Sequence, residues 1–171
     1  MVLYTNEPVA IADVLWTFSY LTDGTGKTSK VAANYVDTSR VITFISSEDL
    51  TLKVPAIRVI GNVCAISKEQ SCVLLDHGAL VELNKQLVTA GNEAVKREVC
   101  WAISNIAAGP SKFVEFMIKL GVVEKLAEIV KTSIDYPVKN GSVNVVVETR
   151  SGLGNNKRMS KSRCCANQST F

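Results

Sequence analysis

The segment Glu98-Val-Cys-Trp-Ala-Ile-Ser-Asn105 recurs in degraded form along the chain, and its spacing constrains the fold more than any other feature. Trp101 and Asn105 stand four apart. Counting back 43 residues gives Arg58 and Asn62 within Pro55-Ala-Ile-Arg-Val-Ile-Gly-Asn62, and 42 further back gives Trp16 and Tyr20 within Asp13-Val-Leu-Trp-Thr-Phe-Ser-Tyr20. Counting forward 42 gives Val143 and Val147. A period of 42 to 43 residues repeated three times predicts a helical solenoid, in which each unit buries its apolar face only by stacking on its neighbours.

The period lies in the range of armadillo and HEAT repeats. Positions three before and four after the Trp share a helix stripe, so Glu98, Trp101 and Asn105 line up, as do Asp13, Trp16 and Tyr20. The opposite stripe is apolar: Ile11, Val14, Leu15 and Phe18 in the first copy, Val99, Cys100, Ile103 and Ile106 in the third. Three residues after the Trp position come Ser19, Gly61 and Ser104, all small, as a closely packed neighbouring helix requires. Gly24 and Gly109 follow the helices of two copies and are expected to be left-handed C-terminal caps; the second copy has Ile66 there.

The chain divides into armadillo-type repeats over residues 1–149 and a basic tail over 150–171. Within the repeats, residues 6–22 supply the last helix of one unit, with Asn6 capping it and Pro8 in its first turn. Val14, Leu15 and Phe18 should then face solvent or a missing partner, which suggests a piece of a longer solenoid. Residues 26–66 form the next repeat, with helices over 27–36, 40–45 and 50–65, the last started by Ser46-Ser-Glu-Asp49 and bent by Pro55. Residues 67–109 form the best-defined repeat, with helices near 68–76, 79–88 and 92–108. Gly78 and Gly121, 43 apart, mark one turn in successive units. Residues 111–149 form a degenerate repeat with helices over 111–120 and 122–131. The tail is predicted to be disordered. It carries five of the 19 basic residues and none of the 16 acids, which leaves the remainder at −2 and argues against a nucleic-acid-binding surface on the fold.

The five cysteines are odd in number and include no CxxC pair, and His77 is the single histidine, so neither a disulfide framework nor a zinc site is expected. The N-terminus lacks the basic flank of a secretory signal, and no apolar run reaches the length of a membrane span. No nucleophile is paired with a base, and Asp23-Gly-Thr-Gly26 is a helix end and not a phosphate loop. The chain is therefore expected to be no enzyme and to need no cofactor or metal.

A row of Trp and Asn on parallel helices suits a different task. Successive last helices of a solenoid lie side by side, so equivalent residues form a ladder with rungs about 10 Å apart. An Asn amide offers a donor and an acceptor to one peptide unit of an extended ligand. A Trp face beside it takes the stem and charge of Lys or Arg, worth about 0.5–2 kcal/mol, and an acid one turn earlier, Glu98 or Asp13, neutralises that charge. The combination selects an extended basic peptide.

At these residues the chain resembles importin-α, the armadillo adaptor of nuclear import. Trp16-Thr-Phe-Ser-Tyr-Leu-Thr-Asp-Gly-Thr25, Pro55-Ala-Ile-Arg-Val-Ile-Gly-Asn62 and Lys96-Arg-Glu-Val-Cys-Trp-Ala-Ile-Ser-Asn-Ile-Ala-Ala-Gly109 look like three consecutive third helices from the later-middle repeats of that family. The resemblance covers roughly residues 8–151. It implies an all-α right-handed armadillo superhelix of about three repeats with incomplete ends. It also implies binding of basic nuclear localisation signal peptides at the part of the groove called the minor site, and action in cytoplasm and nucleus. Importin-β would be a partner only if a longer chain supplied an N-terminal basic segment; no membrane and no direct nucleic acid is implied. Trp101 and Asn105 match the ladder pair, Arg58 and Asn62 the family's Arg-Asn variation, and Glu98 the acid before the Trp; Trp16, Tyr20 and Asp13 complete the candidate peptide-binding set.

The chain also departs from the pattern. The next pair is Val143 and Val147 in place of Trp and Asn, with Asn140 in place of the acid, and Cys64-Ala-Ile-Ser-Lys68 replaces a stretch that tends to carry acids. Each lost aromatic wall or charge-assisted contact costs roughly 1–2 kcal/mol. A truncated or vestigial armadillo scaffold with no cargo binding is the alternative reading. Lys157-Arg-Met-Ser-Lys-Ser-Arg163 itself has the composition of a basic signal that could enter the groove as a weak autoinhibitor.

Overall fold

The computed structural model of the protein describes residues 2–24 and 26–132, together with Ser142 and Val145. Among the described residues the regular structure is entirely helical: α1 (Pro8–Thr22), α2 (Lys27–Asn34), α3 (Thr38–Thr43), α4 (Leu50–Ile66), α5 (Lys68–Asp76), α6 (Ala79–Thr89), α7 (Glu93–Ala107), α8 (Ser111–Lys119) and α9 (Val122–Thr132), with 3-10 turns at Val2–Tyr4 and Phe44–Ser46. No helix among these residues is long and apolar enough to cross a membrane.

Local chemistry sets the boundaries. The Asp49 carboxylate accepts from the backbone N–H of Thr51 at 2.8 Å and starts α4; the Asn92 side chain accepts from Ala94 N–H at 2.8 Å and starts α7. Ser67 ends one helix and begins the next, since its N–H bonds to the Val63 carbonyl while its hydroxyl accepts from Gln70 N–H. Gly78 and Gly121 turn the chain with φ of 87° and 68°, in the left-handed region that favours glycine, and so occupy one turn in successive units. α4 continues through Pro55, which has no N–H to give to the carbonyl four residues back.

Two expected caps are corrected. α1 is preceded by Glu7, not Asn6, and no side chain caps it; Pro8 needs no N–H partner in the first turn. Gly24 is left-handed (φ 123°), but Gly109 is not among the positive-φ glycines. Gly109 is small because Phe113 of α8 packs on it: a Cβ there would lie 2.7 Å from the Phe113 ring.

α1, α4 and α7 lie side by side, with α4 between the other two. Ala56, Ile57, Val59, Ile60 and Val63 of α4 are fully inaccessible, as suits a central helix apolar on nearly every side. Val99, Cys100, Ile103 and Ile106 of α7 are fully buried too, as their stripe predicts.

The expectation that Leu15 faces solvent is overturned, since Leu15 is 0 % exposed and Val14 and Phe18 are half-buried against the same core. The 3-10 turn at the start of the chain packs on α1 and brings Leu3 into that core. Arg40 of α3 holds the turn in place: its Nε donates to the Leu3 carbonyl at 2.8 Å, and its guanidinium carbon sits 5.3 Å from the Tyr4 ring centre and 4.7 Å from that of Phe44. The Tyr4 hydroxyl donates to the Asp37 carboxylate at 2.7 Å, which holds that carboxyl below the usual carboxylate range.

Candidate functional site

The ladder positions fall on the row α1–α4–α7, and the structure joins them to one another. Asn62 is 7 % exposed, and its amide Nδ2 donates to the Ser19 carbonyl of α1 at 2.8 Å and to the Thr22 hydroxyl at 3.3 Å. Asn105, half-buried, donates from Nδ2 to the Gly61 carbonyl of α4 at 3.0 Å. Each Asn thus ties its helix to the previous repeat at the small residue three past the aromatic position. An amide carries two N–H groups and a carbonyl oxygen, so Asn105 keeps one donor and its acceptor beyond that tie.

Trp101 lies over Gly61. An ideal Cβ at Gly61 would stand 2.4 Å from indole Cζ3, so a larger residue there must push the ring aside. The other edge of Trp101 is open, at 38 % exposure. On α1, Trp16 and Tyr20 stack with ring centres 5.8 Å apart and planes at 27°; Trp16 is half-buried and Tyr20 exposed. Asp13 is exposed one turn before Trp16.

Arg58 links the two outer helices. Its Nε and Nη2 donate to the two Glu98 oxygens at 3.0 and 2.8 Å, a bidentate pair from α4 to α7, and its guanidinium carbon lies 5.6 Å from the Trp16 ring centre on α1. The hydrogen bonds to Glu98 raise the Arg58 pKa further above its ordinary value, with smaller contributions from the nearby Tyr20 and Asp23. Asp23 had no place among the sequence candidates; its position just past the C-terminal end of α1, one turn after Tyr20, carried no periodic signal. Glu98, expected to meet a ligand's charge, instead meets Arg58. Asn62, expected to meet a ligand's backbone, is turned into the helix interface.

The remaining candidates fall as follows. Val143, Val147, Asn140 and the basic tail lie outside the described residues. Ser142 is buried, with its hydroxyl 3.6 Å from Cys100 Sγ. Burial pushes the Cys64 thiol up to about 12 and raises that of Cys100, so both behave as small apolar groups. His77 closes α5, and its Nδ1 lies 2.9 Å from the Thr38 hydroxyl. No group of three or more His, Cys, Asp or Glu able to hold a metal occurs among the described residues.

No family model matches the chain. It is 28% identical over 131 residues to importin subunit alpha-1a of Oryza sativa subsp. japonica, covering 77% of this chain and 25% of that protein. It is 24% identical over 131 residues to importin subunit alpha-4 of Arabidopsis thaliana, covering 77% and 24%. The chain thus spans about a quarter of the length of these curated relatives. Among solved structures, a designed armadillo repeat protein superposes with a TM-score of 0.79 at 20% identity, covering 91% of this chain and 67% of that one. A designed armadillo repeat protein in complex with the peptide (KR)4 superposes with a TM-score of 0.79 at 21% identity, covering 90% and 66%. The chain is an all-α armadillo solenoid of a few repeats, and its sequence is a divergent and partial match to importin-α subunits.

Proposed function

We propose that the inner face formed by α1, α4 and α7 binds an extended basic peptide of the nuclear localisation signal class, and that the chain acts as an import-adaptor-like binding module between cytoplasm and nucleus. The observation that carries this proposal is the pair on α7: Trp101, open at one edge, stands one helical turn from Asn105, whose amide retains a donor and an acceptor. That pair offers an aromatic face for a cationic side chain and an amide for the adjoining peptide unit. Trp16, Tyr20 and Asp13 extend the same face on α1. The likeness to importin-α subunits, and to a designed armadillo protein in complex with the peptide (KR)4, supports the choice of a basic ligand. Importin-β enters only through a longer chain with a basic N-terminal segment.

A second reading, a scaffold that binds no basic cargo, is favoured by the Arg58–Glu98 pair, which engages the acid of α7 internally, and by the exposed Lys68 at the start of α5. Titration of the chain with a fluorescent nuclear-localisation peptide at low and moderate salt separates the two. Saturable, salt-sensitive binding that falls about 2- to 30-fold in Trp101→Ala supports the groove. Absence of binding by a fully helical chain supports the scaffold.

A further inference from the structure

We propose that the cleft between α5 and α8 is a docking site for a short segment of a partner protein, which seats a phenylalanine or leucine side chain there and sets an adjoining lysine or arginine against Asp76. None of the candidate residues of the α1–α4–α7 row lines this cleft, so the site stands or falls apart from that row.

The first helices of successive repeats meet at equivalent junctions. α2, α5 and α8 end at Asn34, Asp76 and Lys119, 42 and then 43 residues apart, so Asn34 and Gln70 at one junction correspond to Asp76 and Phe113 at the next. At the first junction Gln70 Nε2 donates to Asn34 Oδ1 at 3.2 Å, a polar bridge from α5 to α2. At the second, a phenyl ring that can make no such bridge stands in place of the Gln70 amide, Cys72 stands in place of Lys30, and Phe116 in place of Val73. The result is a cleft of about 260 Å³ walled by Cys72, Leu75, Phe113 and Phe116 and by two charged residues, Asp76 and Lys112. An apolar cavity of about 150 Å³ holds a benzene ring, and sites for drug-sized ligands begin near about 300 Å³, so the volume suits one large apolar side chain. The two charges orient its neighbours. Lys112 Nζ lies 5.5 Å from the Phe113 ring centre, so the α8 side repels a cation. Asp76 is the exposed last residue of α5, where the helix dipole disfavours an acid and no basic residue of that turn offsets it. Its side chain makes no hydrogen bond or ion pair among the described residues. A cation placed there meets the carboxylate and the negative end of the helix together.

The experiment titrates the isotope-labelled full chain with the blocked dipeptide acetyl-Phe-Lys-amide and with its Leu-Lys, Ala-Lys and Phe-Glu counterparts, and follows backbone amide shifts by NMR. Phe-Lys and Leu-Lys should bind saturably and move the amides around Cys72 and Phe113, Phe-Glu should bind more weakly, and Ala-Lys should not saturate. Asp76→Asn should weaken Phe-Lys about 2- to 5-fold, and Phe116→Val about 3- to 10-fold. Each variant installs the residue that the preceding repeat carries at the same place, Asn34 or Val73, and each is checked for unchanged circular dichroism. Asp76→Asn changes only an exposed side chain, so it decides the matter if Phe116→Val fails to fold. Shifts that run along α4 and α7 and vanish in Trp101→Ala overturn the proposal, because the dipeptide then sits on the ladder row. Ala-Lys binding as tightly as Phe-Lys overturns it too. So does the absence of saturable binding; if the chain then self-associates and Phe116→Val abolishes this, the cleft belongs to a second copy.

Discussion

Gly61→Ala sets two effects of known sign against each other at one atom. Glycine inside a helix costs about 1 kcal/mol relative to alanine, so the substitution by itself should stabilise α4 by that amount. The new methyl would stand 2.4, 2.9 and 3.0 Å from indole atoms Cζ3, Cε3 and Cη2 of Trp101. Carbon contacts prefer about 3.5–4.0 Å, so the ring must retreat by more than about 1 Å. It can do so because its outer edge is open, and swinging outward is easier than parting α4 from α7 along their buried length. Uncovering on the order of 50 Å² of indole costs about 1.3 kcal/mol at 25 cal/mol per Å². The two terms nearly cancel, so the melting temperature should change by no more than about 2 °C. Binding should not cancel. A displaced Trp101 no longer lies beside Asn105, and basic-peptide affinity should drop by about 2- to 30-fold with a shifted tryptophan emission spectrum. A melting point raised by about 2–4 °C with emission and affinity unchanged would show that the indole does not cover Gly61. A loss of more than about 3 kcal/mol would show that the helices part instead.

Asn62→Ala should cost about 2 kcal/mol in urea denaturation, since it removes two hydrogen bonds and leaves the buried Ser19 carbonyl without this donor, whereas half-buried Asn105→Ala should cost less and appear mainly in peptide affinity. Arg40→Ala should release the N-terminal 3-10 turn, seen as faster amide exchange in residues 3–11 with little change in α7, because the bond to the Leu3 carbonyl and both ring contacts are lost. Cys64 should make stability fall with alkali. The unfolded thiol ionises near 9 while the folded one keeps its proton up to about 12, so the unfolded state binds fewer protons in that window and the chain loses about 1.4 kcal/mol per pH unit from this group. Cys64→Ala should flatten that slope between pH 9 and 11, and an unchanged slope would mean that Cys64 is exposed to solvent.

The helices were legible in the sequence because two independent signals coincided at most boundaries. Asp49 and Asn92 combine a capping side chain with the first residue of an apolar stripe, and Gly78 and Gly121 recur at the repeat length where the backbone turns left-handed. Gly109 shows where one signal misleads. A glycine after a helix has two physical causes, a left-handed backbone or a close neighbour, and only the placement of Phe113 three-dimensionally distinguishes them. Leu15 fails for a related reason. It belongs to the same core as Leu3, whose 3-10 turn is held against α1 by Arg40, and segments that irregular leave no period to read.

The site was legible as a row of residues but not as a set of partners. Periodicity assigns Trp16, Arg58 and Glu98 to one face, and it is silent on whether they meet a ligand or each other. The structure pairs them because Glu98 lies one turn before the rung, so its carboxylate reaches back across the helix gap to Arg58, and Arg58 is long enough to lie against Trp16 on the far side. The same reach explains the small residues. Trp101 lies over Gly61, and the equivalent repeat position on α1, one copy before the slimmer Arg58, is Ser19. Size at one copy is thus tied to size at the next, a signal present in the sequence but visible only when neighbouring copies are compared position by position. If that coupling governs the row, restoring an aromatic at position 58 should fail with Ser19 present and succeed only with Ser19→Gly. Arg58→Trp alone should lower the melting temperature, and adding Ser19→Gly should recover it by more than that substitution does in the wild-type background. Simple additivity of the two changes would break the link between rung and facing residue.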